Sequence, residues 1–232
     1  TDVSGAYSML NIQGPNSRRL LSNISSADFS TDKFPFGTMQ EIEIGYQSAL
    51  AVRISYTGEL GWELYIPVEM TIPVYNELIG AGKSLGLHHC GYHTLNSLRV
   101  EKAYREWAHD MGPTDTLNEC GLSFTCDWNK STGFIGKDAL LDQSNLLTRR
   151  LIQFILDDPE PLLAHNEPIL RDGERLGYIV SSGYGHTLGA SIGMGYITCQ
   201  DGVSDSFIET GSYTIEQANR IYTAKASLKP LY

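Results

Sequence analysis

Hydrophobic and polar positions alternate through residues 52–67, VRISYTGELGWELYIP, on both sides of a glycine-bearing stretch. Period-two alternation marks half-buried strands, because successive side chains point to opposite faces. Taken as two strands joined by the loop Gly58-Glu59-Leu60-Gly61, the segment predicts a β-hairpin in which Thr57 faces Trp62 and Tyr56 faces Glu63. In that register Tyr56, Glu63 and Tyr65 share one face, and Trp62, Leu64 and Ile66 take the other.

The remaining pattern predicts an α+β order. Residues 7–12 read as a strand and Gly14-Pro15-Asn16 as punctuation before a helix to about Leu21. Strands follow at residues 39–44 and 50–55. Residues 73–85 form an amphipathic pattern with Val74, Leu78 and Ile79 on one stripe, stopping before Gly86. A second helical segment covers residues 94–102, with Leu95, Leu98 and Val100 facing inward. Its sequel, residues 104–111, is rich in rings and charges and suits a ligand-facing element. Residues 127–133 read as loop and 137–143 as a short helix. From Arg149 the texture turns to short strands at residues 151–156, 168–171, 176–181, 191–197, 212–215 and 221–226, with a hairpin signal at Asp172-Gly173. Strands so spaced predict a small β-barrel or sandwich, with a domain boundary near residue 146.

Composition narrows the function classes. The chain has 232 residues, 41% hydrophobic and 19% charged, enough for one large domain or two smaller ones. A formal charge of −10 with scattered Lys and Arg argues against nucleic acid or an anionic membrane as the main partner. There is no apolar run of transmembrane length. Cys90, Cys120, Cys126 and Cys199 are spaced too irregularly for a zinc knuckle or a redox pair, so reduced thiols are expected. The start, TDVSGAYSM, carries no targeting pattern, so a leader has been removed or the chain is part of something longer.

Several chemistries find no support. No GxGxxG opens a βαβ unit, and there is no Walker A sequence or GxSxG elbow. The glycine-rich residues 183–191, GYGHTLGAS, lie inside the strand-rich part and read as a turn-bearing connection. His88, His89 and His93 have a spacing open to a metal, but no Asp or Cys constellation completes it, and loop or capping histidines are the alternative. No metal is expected. The more specific signal is Glu63 between rings. A carboxylate accepts two parallel N–H bonds from an amidine-like edge, such as that of a pterin or guanine, while aromatic side chains cover the flat faces. The alternative is a solvated glutamate on an exposed hairpin.

RISYTGELGWELYIP, then LNSLRVEKAYREWAHDM, TLNECGLSFTCDWNK and FIGKDAL, in that order, resemble the folate-binding half of the sarcosine and dimethylglycine dehydrogenases. That half is itself similar to aminomethyltransferase, the T-protein of the glycine cleavage system. Weaker similarity runs from SMLNIQGPNSRRLL to the last residues. The resemblance implies an aminomethyltransferase-like folate-binding domain over residues 1–146, incomplete at its N-terminus, followed by a C-terminal β-barrel domain over 147–232.

It also implies tetrahydrofolate as cofactor. Glu63 would hold the pterin edge, with Tyr56, Leu64, Tyr65, Phe124 and Trp107 as folate-binding residues and Glu59 shaping the turn. Arg99 and Glu101 are read as a structural ion pair. Where the T-protein pattern has Arg-Asp this chain has Leu95-Asn96, which favours the dehydrogenase branch.

The implied function is capture of a one-carbon unit as 5,10-methylenetetrahydrofolate, beside a flavin domain that oxidises an N-methylamine. FAD, that domain and the family's aspartate near folate N5 would lie upstream, so no catalytic residue is assigned and the chain is expected to be truncated at both ends. A regulatory homologue resembling the pyruvate dehydrogenase phosphatase regulatory subunit, with a phosphatase as partner, is one alternative, and a stand-alone aminomethyltransferase is another. The implied location is the mitochondrial matrix in a eukaryote and the cytoplasm in a bacterium.

Overall fold

The computed structural model describes residues Thr1–Tyr232, which form two compact units, Thr1–Gly91 and Tyr92–Tyr232. No helix is long and apolar enough to cross a membrane.

The first unit is built from β1 (Tyr7–Gln13), α1 (Ser17–Ile24), β2 (Met39–Ile44), β3 (Gln47–Val52), β4 (Gly61–Pro67) and α2 (Thr71–Gly82). The strands form a four-stranded antiparallel sheet in the order β1-β4-β3-β2. Its inner face, carrying Ile42, Ile44, Ala49, Ala51, Trp62, Leu64 and Ile66, packs into one core with Leu20 and Leu21 of α1 and Val74 and Leu78 of α2. Trp62 is fully buried, its ring centroid 5.3 Å from Phe29 and 6.0 Å from Phe34 in edge-on geometry. Area burial of this kind drives the folding of such a sheet. A short 3-10 turn extends α2 to Leu85, and Gly86 at φ 76° ends it, as the sequence predicts.

The expected hairpin register is corrected here. β3 ends at Val52, and residues 53–60 are an irregular connection rather than strand and tight loop. Glu63 consequently stands opposite Val52, and Tyr56 has no place in the ladder. The alternation within β4 survives, with Trp62, Leu64 and Ile66 inward and Glu63 and Tyr65 outward.

The second unit contains α3 (Tyr92–Glu101), a 3-10 turn (Ser123–Thr125), α4 (Lys137–Ser144) and α5 (Asp205–Thr210). Its six strands are β5 (Arg149–Leu156), β6 (Pro168–Arg171), β7 (Glu174–Gly185), β8 (Ala190–Thr198), β9 (Tyr213–Gln217) and β10 (Arg220–Ser227). They close into a barrel in the order β10-β5-β8-β7-β6-β9, so the expected α+β fold with a C-terminal barrel holds. Asp172 and Gly173, at φ 52° and 88°, make the tight β6–β7 turn, whose two central residues both need the left-handed region. The barrel interior is filled by Ile152, Phe154, Ile169, Ile179, Ile197 and Ile215.

α3 lies on β7, with Asn96 Nδ2 donating to Ser182 O at 3.0 Å and Ser97 Oγ to Tyr184 O at 2.5 Å. The expected Arg99–Glu101 pair is corrected. Arg99, fully buried, donates to Asn96 Oδ1 (3.0 Å), Tyr104 O (3.1 Å), Ser181 Oγ (2.7 Å), Glu106 Oε2 (3.2 Å) and the buried Asp110 carboxylate. Glu101 instead accepts from the Thr187 and Leu188 amides at 2.8 and 3.2 Å. The helix turns the two side chains apart, since positions two apart do not face each other.

Candidate ligand-binding site

Strand register builds a small polar cluster on the outer face of the first unit's sheet. Glu63, on the third position of β4, lies directly between Asn11 of β1 and Val52 of β3. One pleat further along, Tyr65 lies between Met9 and Leu50. Opposed residues on neighbouring strands share a face, so these six side chains form one continuous patch. Met9 is 51% exposed and Tyr65 36%. Glu63 thus sits in a field of apolar side chains open to solvent.

Within that field the polar groups are ordered by one another. The Tyr65 hydroxyl donates to Glu63 Oε2 at 2.8 Å. That bond, helped by partial burial, pushes the phenol's ionisation above its ordinary value, since a phenolate beside the carboxylate would be repelled. On β1, Gln13 Nε2 donates to Asn11 Oδ1 at 2.6 Å and to the Ile54 carbonyl at 3.2 Å. Gly61 makes room for that amide, because a Cβ there would lie 2.3 Å from Ile12 O and 2.4 Å from Gln13 Cδ.

The structure brings together only part of the residue set expected from the sequence. Glu63 and Tyr65 are hydrogen-bonded partners on the open face. Tyr56 lies half-buried in residues 53–60, outside the strand pairing. Leu64 is corrected, because it points to the opposite side of β4, is fully buried in the core and has no surface to offer a ligand above Glu63.

Trp107 and Phe124 belong to the second unit, 62% and 81% exposed respectively. Trp107 rides on the loop after α3, whose backbone is held by the Arg99 bond to Tyr104 O and by Asp110, which accepts from the Glu106 amide at 2.9 Å. Asn11 and Gln13 escaped the sequence reading. The alternation in YSMLNIQ puts them on one face, but nothing local says that this strand pairs with β4. No group of His, Cys, Asp or Glu is arranged to hold a metal ion, and His89 Nε2 lies 2.8 Å from the Tyr75 hydroxyl. All four cysteines are free thiols.

An antiparallel sheet with an open carboxylate-bearing face, followed by a closed barrel, defines an aminomethyltransferase-like fold. Among solved structures the chain is similar to the crystal structure of glycine cleavage system aminomethyltransferase T from Bartonella henselae, with a TM-score of 0.80 and 21% identity over 97% of this chain and 59% of that one. Residues 1–130 match the GCVT N-terminal domain, and residues 149–232 match the glycine cleavage T-protein C-terminal barrel domain. The chain therefore belongs to the glycine cleavage T-protein family. Among curated relatives it is similar to 4-methylaminobutanoate oxidase (formaldehyde-forming) of Paenarthrobacter nicotinovorans, 39% identical over 100% of this chain and 27% of that protein. It is also similar to mitochondrial sarcosine dehydrogenase of Mus musculus, 38% identical over 98% of this chain and 25% of that protein. The chain thus spans about a quarter of the length of these two relatives, 27% and 25%.

Proposed function

We propose that the chain is the tetrahydrofolate-binding part of a flavin-dependent N-methylamine dehydrogenase, and that Glu63 holds the pterin edge. The observation that carries this reading is the Glu63 carboxylate itself. It stands on an open, largely apolar sheet face, pinned through one oxygen by Tyr65 while Oε1 takes no hydrogen bond from the protein. The donor set fits a folate. A carboxylate has about four lone-pair sites, so the phenol takes one and both oxygens can still accept N–H bonds from the heterocycle. The apolar neighbours Met9, Leu50 and Val52 suit a flat ring.

Tetrahydrofolate supplies the acceptor for a one-carbon unit at the formaldehyde level, leaving as 5,10-methylenetetrahydrofolate. The formaldehyde-forming oxidase and the sarcosine dehydrogenase among the relatives are consistent with a carrier of such a unit. This chain's residues bind and orient the carrier. Oxidation of the amine, with FAD, belongs to another part of the longer protein. Trp107, Phe124 and Tyr56 remain candidate aromatic contacts. We take residues 1–146 and 147–232 as the two domains. The location that goes with this reading is the mitochondrial matrix in a eukaryote, the mouse relative being named mitochondrial, and the cytoplasm in a bacterium.

Titration calorimetry of the chain with tetrahydrofolate, beside Glu63→Gln, tests the reading. Loss of one charge-assisted contact is expected to weaken binding by about 1.5–3 kcal/mol, roughly tenfold or more. Binding untouched by the substitution rules Glu63 out as the anchor.

A further inference from the structure

The amide of Asn11 has a fixed direction that matters for what Glu63 can select. Side-chain amides present a donor at one end and an acceptor at the other, and the two are told apart only by their partners. Here the chain of partners ends on an unambiguous group. The Ile54 carbonyl only accepts, so the Gln13 amide must turn its nitrogen toward it. The same nitrogen lies 2.6 Å from the Asn11 amide, which therefore turns its oxygen inward to accept. The Asn11 nitrogen is thereby left pointing away from Gln13. Asn11 is exposed, and that nitrogen donates to no protein group.

Asn11 is also the residue directly opposite Glu63 across the β1–β4 ladder. Opposed Cβ atoms in an antiparallel pair stand about 4.5–5.5 Å apart, near enough for two side chains to lean onto one heterocycle edge. The face therefore offers an acceptor pair from Glu63 next to a donor from Asn11. The complementary edge runs donor, donor, acceptor: an exocyclic amine, a ring N–H and a carbonyl oxygen. That is the edge of a 2-amino-4-oxopyrimidine ring, shared by pterins and guanine. A 4-amino ring runs donor, acceptor, donor along the same edge: its amine would meet the Asn11 N–H₂ head-on, and its unprotonated ring nitrogen would face the Glu63 carboxylate.

Resting on the folate reading above, we infer that Asn11 is a specificity-determining residue which reads the 4-oxo group of the ring that Glu63 anchors. Gln13 is the positioning residue behind it, and Gly61 opens the slot in which Gln13 lies.

The test is calorimetry with tetrahydrofolate, its 4-amino-4-deoxy analogue and guanosine, on the unaltered chain, Asn11→Ala and Glu63→Gln. The expected result is that Asn11→Ala weakens tetrahydrofolate about three- to tenfold, as loss of one neutral hydrogen bond does, and leaves the analogue unchanged or tighter. The 4-oxo over 4-amino preference then falls by at least the same factor, a change that general loosening of the sheet would not produce because both ligands would weaken together. Tetrahydrofolate binding that depends on Glu63 but gives the same preference with and without Asn11 overturns this inference and leaves the folate reading standing. Binding of guanosine in place of tetrahydrofolate, lost in Asn11→Ala, supports the edge reading and overturns folate as its source. No binding of any of the three by the folded chain overturns both. Asn11 is exposed at an edge strand, so the alanine variant is expected to fold, and an unchanged circular dichroism spectrum checks this.

Discussion

Glu63 and Tyr65 stand two residues apart on one strand, and the bond between them governs how the phenol titrates. The phenol's ionisation is pushed above its ordinary value chiefly by that bond, with desolvation and the carboxylate's charge adding in the same direction. A raised phenol holds its proton more tightly in the folded state. Its contribution to stability is complete below pH about 10 and is lost as the pH climbs through the folded-state value. In Glu63→Gln the Tyr65 titration is expected to fall back toward pH 10, followed by ring-proton shifts in labelled tyrosine. A titration that does not move means the two side chains are apart in solution. This pair was legible in the sequence because alternation within one strand is a local property, and ELY needs only the pleat to put Glu63 and Tyr65 on one side. The same pleat turns Leu64 inward, so a residue role carried over from relatives gave way to a geometric fact visible in the same three letters.

Elements are harder to read where pairing is not local. The alternation before Gly58 continues past Val52 in the sequence, yet the ladder stops there. Ser55 and Thr57 hydroxyls lie 3.4 Å apart and the Thr57 amide donates to Ser55 Oγ at 3.3 Å, the local side-chain bonding that competes with strand pairing. What holds β4 in register is β1, and Gly61 is the tight point of that pairing. Gly61→Ala drives a Cβ to 2.3 Å from a backbone oxygen of β1, which cannot give way without opening the ladder. It is expected to cost about 1–3 kcal/mol or more in urea unfolding, together with weaker folate binding. Gly80, exposed in α2 with nothing within 4 Å of its added Cβ, supplies the contrast. Gly80→Ala is expected to stabilise by about 0.5–1 kcal/mol through lower chain entropy, and a lowered urea midpoint would contradict the helix as described.

At the scale of the whole molecule, the barrel was legible from its short strands and turn pairs, because closure needs only many strands of similar length joined by tight connections. The buried charge beneath it was not. Arg99 lies in a helical pattern beside an obvious Glu101, while its partner Asp110 comes from an irregular segment and Ser181 from β7. Arg99→Ala is expected to lower stability by about 3–5 kcal/mol, since the buried Asp110 is left without its partner, and Asp110→Asn in the same background should recover part of it. Additive losses would separate the two. The two sheets also differ in how they end. The barrel closes on itself, whereas the order β1-β4-β3-β2 leaves two strands with an unpaired side. β2 carries Glu41 and Glu43, charges that discourage a foreign strand, but β1, YSMLNIQ, carries none and shows Tyr7 and Met9 to solvent. At high concentration this chain should therefore clump through a single strand, β1, and Met9→Lys should raise the concentration at which light scattering first appears.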